Sequence, residues 1–124
     1  MQTTLILAAI LTAAVGVAHS WLGERYLLQR LFRREDLPKI LGSAEFTKRT
    51  LRFAWHVTTI AWLGLAAVLL LVAQPELSRS AIGAAVGLCF LAQFALALVG
   101  SRGRHLSWLA FLAIGVLAIA ATRG

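Results

Sequence analysis

The sequence predicts an all-α integral membrane protein, a single domain of four antiparallel transmembrane helices over residues 1–124, and three observations support this prediction. Hydrophobic residues make up 60% of the chain and charged residues only 14%, and the mean hydropathy is +0.81. Such a composition leaves too little polar surface to cover a soluble domain. Apolar runs of helical length recur four times, and the basic residues collect on one side of these runs.

Each of the four apolar runs is long enough for a transmembrane helix, which needs about 20 residues at ~1.5 Å each to cross a hydrocarbon core of ~30 Å. The short connections between the last three runs predict antiparallel neighbours. No basic segment precedes the first run, so we expect it to be retained and not cleaved as a signal peptide. The predicted spans are residues 4–22, 53–73, 80–100 and 106–122, with a cytoplasmic element at 23–52.

The basic residues predict the orientation of the chain. Ten of the twelve Lys and Arg residues fall in the first and third connections, and only Arg79 and Arg123 mark the other face. By the positive-inside rule these two connections are cytoplasmic and both termini lie outside. We therefore expect a multi-pass protein of a bacterial inner membrane. Its net charge of +7 is expected to lie at the membrane surface and does not indicate nucleic-acid binding.

The element at 23–52 is predicted to be a largely helical, basic extension of the first two membrane helices. Near-helical spacing of apolar residues carries the first helix to about Glu35, with a break near Pro38. A new helix is expected to begin after Ser43, which can cap it, with Glu45 in its first turn.

Small residues predict where helices pack closely. Gly83 and Gly87 form a small-xxx-small pair in the third span, which indicates internal helix packing, with the face of a homo-oligomer as the alternative. The single cysteine, Cys89, is interpreted as a small packing residue.

The predicted topology brings one hydrogen-bonding side chain from each helix to the cytoplasmic leaflet: His19, His56, Gln93 and His105. Neutral imidazoles bind zinc, copper and iron, and two of them can hold haem b. We therefore hypothesise a transition-metal (Zn, Cu or Fe) or haem site at the three histidines. Glu24, five positions after His19, points away from it unless the helix is distorted. The residues expected to surround the ligand are Gln93, Glu24, Thr59, Arg52 and Arg104.

The alternative hypothesis is a non-catalytic scaffold or assembly protein whose basic element binds anionic lipid or an acidic partner. The histidines are then ordinary residues of a membrane interface. The sequence shows no nucleophile triad, phosphate-binding loop or paired carboxylates that would indicate an enzyme. The residues expected to contact lipid or partner are Arg30, Arg33, Arg34, Lys48 and Arg49.

Overall fold

The computed structural model describes residues 1–123, and in this range the chain forms four long helices and no β-strand. These helices are α1 (Gln2–Leu31), α2 (Ala44–Val72), α3 (Arg79–Gly100) and α4 (Ser107–Thr122). Helices α1, α2 and α3 are long and apolar enough to cross a membrane, as predicted. Helix α4 is apolar but has 16 residues, a length of about 24 Å against a hydrocarbon core of ~30 Å.

Helix α1 extends beyond its predicted membrane span but ends sooner than expected. Its last helical residue is Leu31 and not Glu35. The backbone amides of Arg33 and Arg34 bond to carbonyls three residues earlier, which tightens the last turn and ends the helix. The chain then runs mostly without helix as far as α2. The element at 23–52 is therefore helical at both ends and irregular in its centre.

The start of α2 confirms the predicted cap. The Ser43 hydroxyl accepts a hydrogen bond from the Phe46 amide at 3.1 Å, and Glu45 lies in the first turn. The side chain of Thr47, which is buried, accepts from the Ile40 amide at 3.0 Å. These contacts hold the irregular segment against the first turn of α2.

The C-terminal part of α1 is distorted. Residues Gly23–Leu28 form a π-helical segment, in which one extra residue widens the turn. Gly23 lies against the indole of Trp55, and a Cβ atom at this position would be 2.0 Å from the indole Nε1. The close approach of α1 to α2 therefore requires glycine here.

The glycine pair of the third span packs inside the chain. A Cβ atom on Gly83 would meet the Thr122 side chain, and one on Gly87 would meet Ile119. Both partners belong to α4, so the interpretation as internal helix packing is confirmed. Cys89 also packs, with its Sγ at 3.4 Å from the Ile60 carbonyl oxygen of α2.

Close backbone contacts among the four helices of residues 1–123 join only consecutive helices: α1 with α2, α2 with α3, and α3 with α4. Helices α1 and α4 thus each contact one other long helix, and the chain forms a series of neighbouring pairs. Many large apolar side chains face outwards, among them Leu11 of α1 and Leu117 of α4. An apolar outer surface of this extent is typical of helices that face lipid.

Candidate functional site

His19 packs against aromatic residues of α2. Its ring stacks on the Trp55 indole, with centroids 4.3 Å apart and an angle of 4° between planes, and lies 5.3 Å from the Trp62 ring. Trp55 Nε1 donates to the His19 carbonyl oxygen at 3.0 Å. The His19 Nε2 atom is buried without a hydrogen-bond partner. His19 thus faces the α1–α2 interface, where its ring serves packing.

His105 lies in the turn before α4. Its ring is 5.2 Å from the Phe53 ring and 6.3 Å from the Phe46 ring. Its Nδ1 atom is 2.9 Å from the Ser107 hydroxyl and accepts from the Ser107 amide at 3.3 Å. The imidazole therefore helps to cap the start of α4.

His56 is the centre of a polar network that crosses from α2 to α1. Its Nδ1 atom is 2.7 Å from the Ser20 hydroxyl, and its Nε2 atom is 3.2 Å from a Glu24 carboxylate oxygen. Arg52, one turn before His56, contacts the same carboxylate at 3.0 and 3.2 Å. Thr59 lies 2.6 Å from the Ser20 hydroxyl. We call these five residues, Ser20, Glu24, Arg52, His56 and Thr59, the polar network.

The predicted cluster of three histidines is not formed. Across residues 1–123, no group of three or more His, Cys, Asp or Glu side chains is arranged to hold a metal ion. The His19 ring stacks on Trp55, and the His105 ring lies against Phe46 and Phe53. Only His56 takes part in a network of charged and polar side chains.

The residues that were expected around the ligand separate into two groups. Glu24, Arg52 and Thr59 meet at His56, as the network shows. Gln93 is buried and donates to Cys89 Sγ within its own helix at 3.3 Å. Arg104 places its guanidinium 5.6 Å from the Phe46 ring centre. Gln93 and Arg104 therefore do not contribute to the network.

Ser20 and Glu24 reach His56 because they lie one helical turn apart on α1. Residues four apart share a face of a helix, and the face that carries Ser20 is the one that meets α2. Arg52, His56 and Thr59 are spaced by four and three residues and form the matching face of α2. The prediction that Glu24 points away from His19 is compatible with this arrangement, because Glu24 instead contacts His56.

The contacts of the network run without a break between α1 and α2. The Thr59 hydroxyl lies 3.0 Å from the Gly16 carbonyl oxygen, which can only accept, and 2.6 Å from the Ser20 hydroxyl. The Ser20 hydroxyl is in turn 2.7 Å from His56 Nδ1, and His56 Nε2 is 3.2 Å from a Glu24 oxygen. Each side chain of the network therefore has a partner on the other helix.

The network contains the residue types of a nucleophile triad. A serine, a histidine and a carboxylate are in contact, as in that arrangement, and Thr59 is a second partner of the Ser20 hydroxyl. In this structure these side chains join α1 to α2.

The two basic connections meet at the same end of the structure, which we call the basic end: the irregular segment with the adjoining turns of α1 and α2, and the turn between α3 and α4. The contacts of His105 with Phe46 and of Arg104 with the same ring join these connections. Arg30 and Arg33 are exposed there, whereas Arg34 pairs with Asp36 at 2.6 Å.

Arg49 and Arg34 are balanced locally at the basic end. Arg49 pairs with Glu45 at 3.0 Å, whereas the neighbouring Lys48 is half-buried. Arg34 donates two hydrogen bonds to Asp36 and thereby lowers the pKa of that carboxyl to about 2. Exposed pairs of this kind are strongly screened by solvent. The basic end has a surplus of positive charge because it contains ten basic and four acidic residues.

No known protein family, curated protein or solved structure matches the chain.

Proposed function

We propose that the chain is a multi-pass protein of a bacterial inner membrane, with its helices antiparallel and both termini outside the cytoplasm, and that its basic end binds anionic lipid. The observation that carries this proposal is the unequal distribution of charge. Ten basic and four acidic residues give the basic end and its adjoining turns a net charge of +6, whereas two basic and one acidic residue give the other end +1.

Membrane electrostatics supports this function. A basic side chain near an anionic bilayer surface contributes about 1 kcal/mol of attraction. Arg30 and Arg33 are exposed where α1 leaves its apolar span, so they can meet headgroups without giving up a partner in the chain. The same charges favour a cytoplasmic location for this end. Orientation and lipid binding thus have one physical basis.

A transition metal or haem bound by His19, His56 and His105 is the other function that the sequence suggests. Its residues lie in three different surroundings, as described above, and no contact within residues 1–123 favours it. Binding of anionic lipid by the basic end is therefore the better-supported function. The histidines contribute instead to packing, to the cap of α4 and to the polar network.

Two measurements test the proposal. Reporter fusions after residue 124 and within the irregular segment between α1 and α2 should show an external C-terminus and a cytoplasmic connection. Native mass spectrometry of the purified protein with an equimolar mixture of phosphatidylglycerol and phosphatidylcholine should show enrichment of phosphatidylglycerol.

A pair of variants serves as the control. The double substitution Arg30→Gln with Arg33→Gln should reduce the enrichment, whereas Arg79→Gln with Arg123→Gln, which removes the same charge from the other end, should change it less. Cytoplasmic reporter activity at the C-terminus would overturn the orientation. Equal effects of the two double substitutions would contradict lipid binding at the basic end.

A further inference from the structure

A cleft of about 300 Å³ opens between α2 and α3 at the basic end, beside the polar network. This volume is at the lower limit of typical small-molecule sites, about 300–1,000 Å³. One wall is polar and comes from α2, and the other is apolar and includes Leu96 and Val99 of α3. The polar wall consists of Glu45, Arg49, Arg52 and His56.

The polar wall carries a surplus of one positive charge. Arg49 is balanced by Glu45 at 3.0 Å, and Arg52 is balanced by Glu24 at 3.0 Å. Glu24, however, belongs to α1 and does not line the cleft. The wall itself therefore holds two guanidinium groups and one carboxylate, Glu45. A phosphodiester, which carries one negative charge, matches this surplus.

Both arginines keep hydrogen-bond donors for a ligand. A guanidinium has five N–H groups. Arg49 contacts Glu45 through Nε, and Arg52 contacts Glu24 through Nε and one terminal nitrogen. The other terminal N–H groups can donate to phosphate oxygens, with which arginine forms charge-assisted hydrogen bonds.

The apolar wall indicates what must be attached to the phosphate. Val99 is 74% exposed and Leu96 is half-buried, on a helix long and apolar enough to cross a membrane. A soluble phosphate would leave these side chains uncovered, whereas an acyl chain running along α3 would cover them. The cleft therefore fits an amphiphile whose anionic part lies at the basic end.

We propose that this cleft binds one anionic phospholipid of the surrounding bilayer, with its phosphate at Arg49 and Arg52 and its acyl chain beside Leu96 and Val99. The inference rests on the proposed membrane location and adds a specific site to the diffuse attraction of the basic end. The surplus positive charge disfavours a choline headgroup, so the site prefers phosphatidylglycerol to phosphatidylcholine.

Substitutions matched in charge or size test the site. Arg49→Gln and Lys48→Gln each remove one positive charge from neighbouring positions of α2, but only Arg49 lines the cleft. Val99→Trp fills the cleft from its apolar side, whereas Val116→Trp makes the same change at an exposed residue of α4 that lies outside the cleft. Binding of phosphatidylglycerol to each purified protein is measured by native mass spectrometry across a lipid titration.

Arg49→Gln should weaken binding of the first lipid about tenfold, the loss expected for one charge-assisted hydrogen bond. Val99→Trp should also weaken it about tenfold, because the indole would fill the space of the acyl chain. Lys48→Gln and Val116→Trp should leave it within about twofold of wild type. Equal effects of Arg49→Gln and Lys48→Gln would show diffuse attraction only and overturn the site. Binding of glycerol 3-phosphate as tightly as the lipid would overturn the assignment to a phospholipid.

The proposed function and this site fail in different ways. If Arg30 and Arg33 do not attract anionic lipid, their double substitution has no effect while Arg49→Gln still weakens binding at the cleft. If the site is wrong, the double substitution reduces lipid enrichment and Val99→Trp binds like wild type.

Discussion

Gly23→Ala is expected to destabilise the α1–α2 interface, because the added methyl group would enter the space of an indole. The new Cβ would lie 2.0 Å from Trp55 Nε1 and 2.3 Å from its Cε2. The ring cannot move aside freely, since it stacks on His19 at 4.3 Å and donates a hydrogen bond to the His19 carbonyl at 3.0 Å. The substitution therefore forces α1 away from α2 or displaces Trp55 from both contacts.

The expected cost follows from these contacts. Inserting a methyl group into a packed interface costs typically about 1–3 kcal/mol, and loss of the hydrogen bond from Trp55 adds about 0.5–1.5 kcal/mol. The better helix propensity of alanine returns at most about 1 kcal/mol. The net loss in free energy of unfolding for Gly23→Ala is therefore about 0.5–3.5 kcal/mol.

Gly16→Ala is the matched control, because it adds the same group to the same helix facing the same partner. Its Cβ would be 3.4 Å from the Trp62 Cβ, an ordinary contact distance. Thermal unfolding in detergent, followed by near-ultraviolet circular dichroism of the tryptophans, should show a lower midpoint for Gly23→Ala and a midpoint close to wild type for Gly16→Ala. Equal midpoints for the two variants would refute the close approach of Gly23 to Trp55.

Three further outcomes are expected from the described contacts. Ser43→Ala removes the cap of α2 and should cost about 0.5–2 kcal/mol, measured by thermal unfolding; an unchanged midpoint would contradict the cap. Arg34→Gln removes the hydrogen bonds that hold the pKa of Asp36 near 2 and should return it towards 3.8, measured by NMR titration; the pairing is complete above the ordinary value and is lost as pH falls through about 2. Thr59→Val leaves the Ser20 hydroxyl of α1 without its Thr59 partner and should cost about 1–3 kcal/mol, whereas Thr58→Val, whose hydroxyl contacts only its own helix at 3.5 Å, should be close to neutral in the same unfolding assay.

The parts of the fold that were predictable from sequence depend on local chemistry. Hydropathy predicts three membrane-length helices, because a single apolar segment that crosses a membrane must satisfy its backbone hydrogen bonds within itself, as a helix does. The Ser43 cap follows from a hydroxyl placed before a helical pattern. The internal role of Gly83 and Gly87 follows from the need for small residues where helices approach.

The end of α1 and the surroundings of the histidines depend on contacts between distant residues. Apolar spacing continued past Leu31, but turn hydrogen bonds ended the helix there. His19 was chosen as a ligand from its depth in the span, although the aromatic residue that stacks on it, Trp55, is in another helix. The three histidines were expected to meet because they lie at similar depth in one leaflet, but depth along a helix does not determine which face carries a side chain.

A spacing signal for the polar network was nevertheless present in the sequence. Ser20 and Glu24 are four residues apart, and Arg52, His56 and Thr59 repeat at intervals of four and three. Two polar stripes of this kind on successive apolar helices indicate a shared interface, because unpaired polar groups are costly when they face lipid. The stripe on α1 consists of Ser20 and Glu24 and does not include His19. The residue of this segment that was expected to be a ligand is therefore not the one that contacts His56.

Arg52 connects the polar network with the cleft. Its guanidinium holds the Glu24 carboxylate of α1 on one side and lines the cleft between α2 and α3 on the other, and it lies 4.9 Å from the centre of the Phe32 ring. A phosphate in the cleft would therefore share this guanidinium with the carboxylate that joins α1 to α2. Because energetic coupling between two sites is reciprocal, lipid bound at α2 and α3 would alter the strength of the α1–α2 pairing, and that pairing would alter the affinity for lipid. Helices α1 and α3, which have no close backbone contact with each other, would in this way be linked through one side chain of α2.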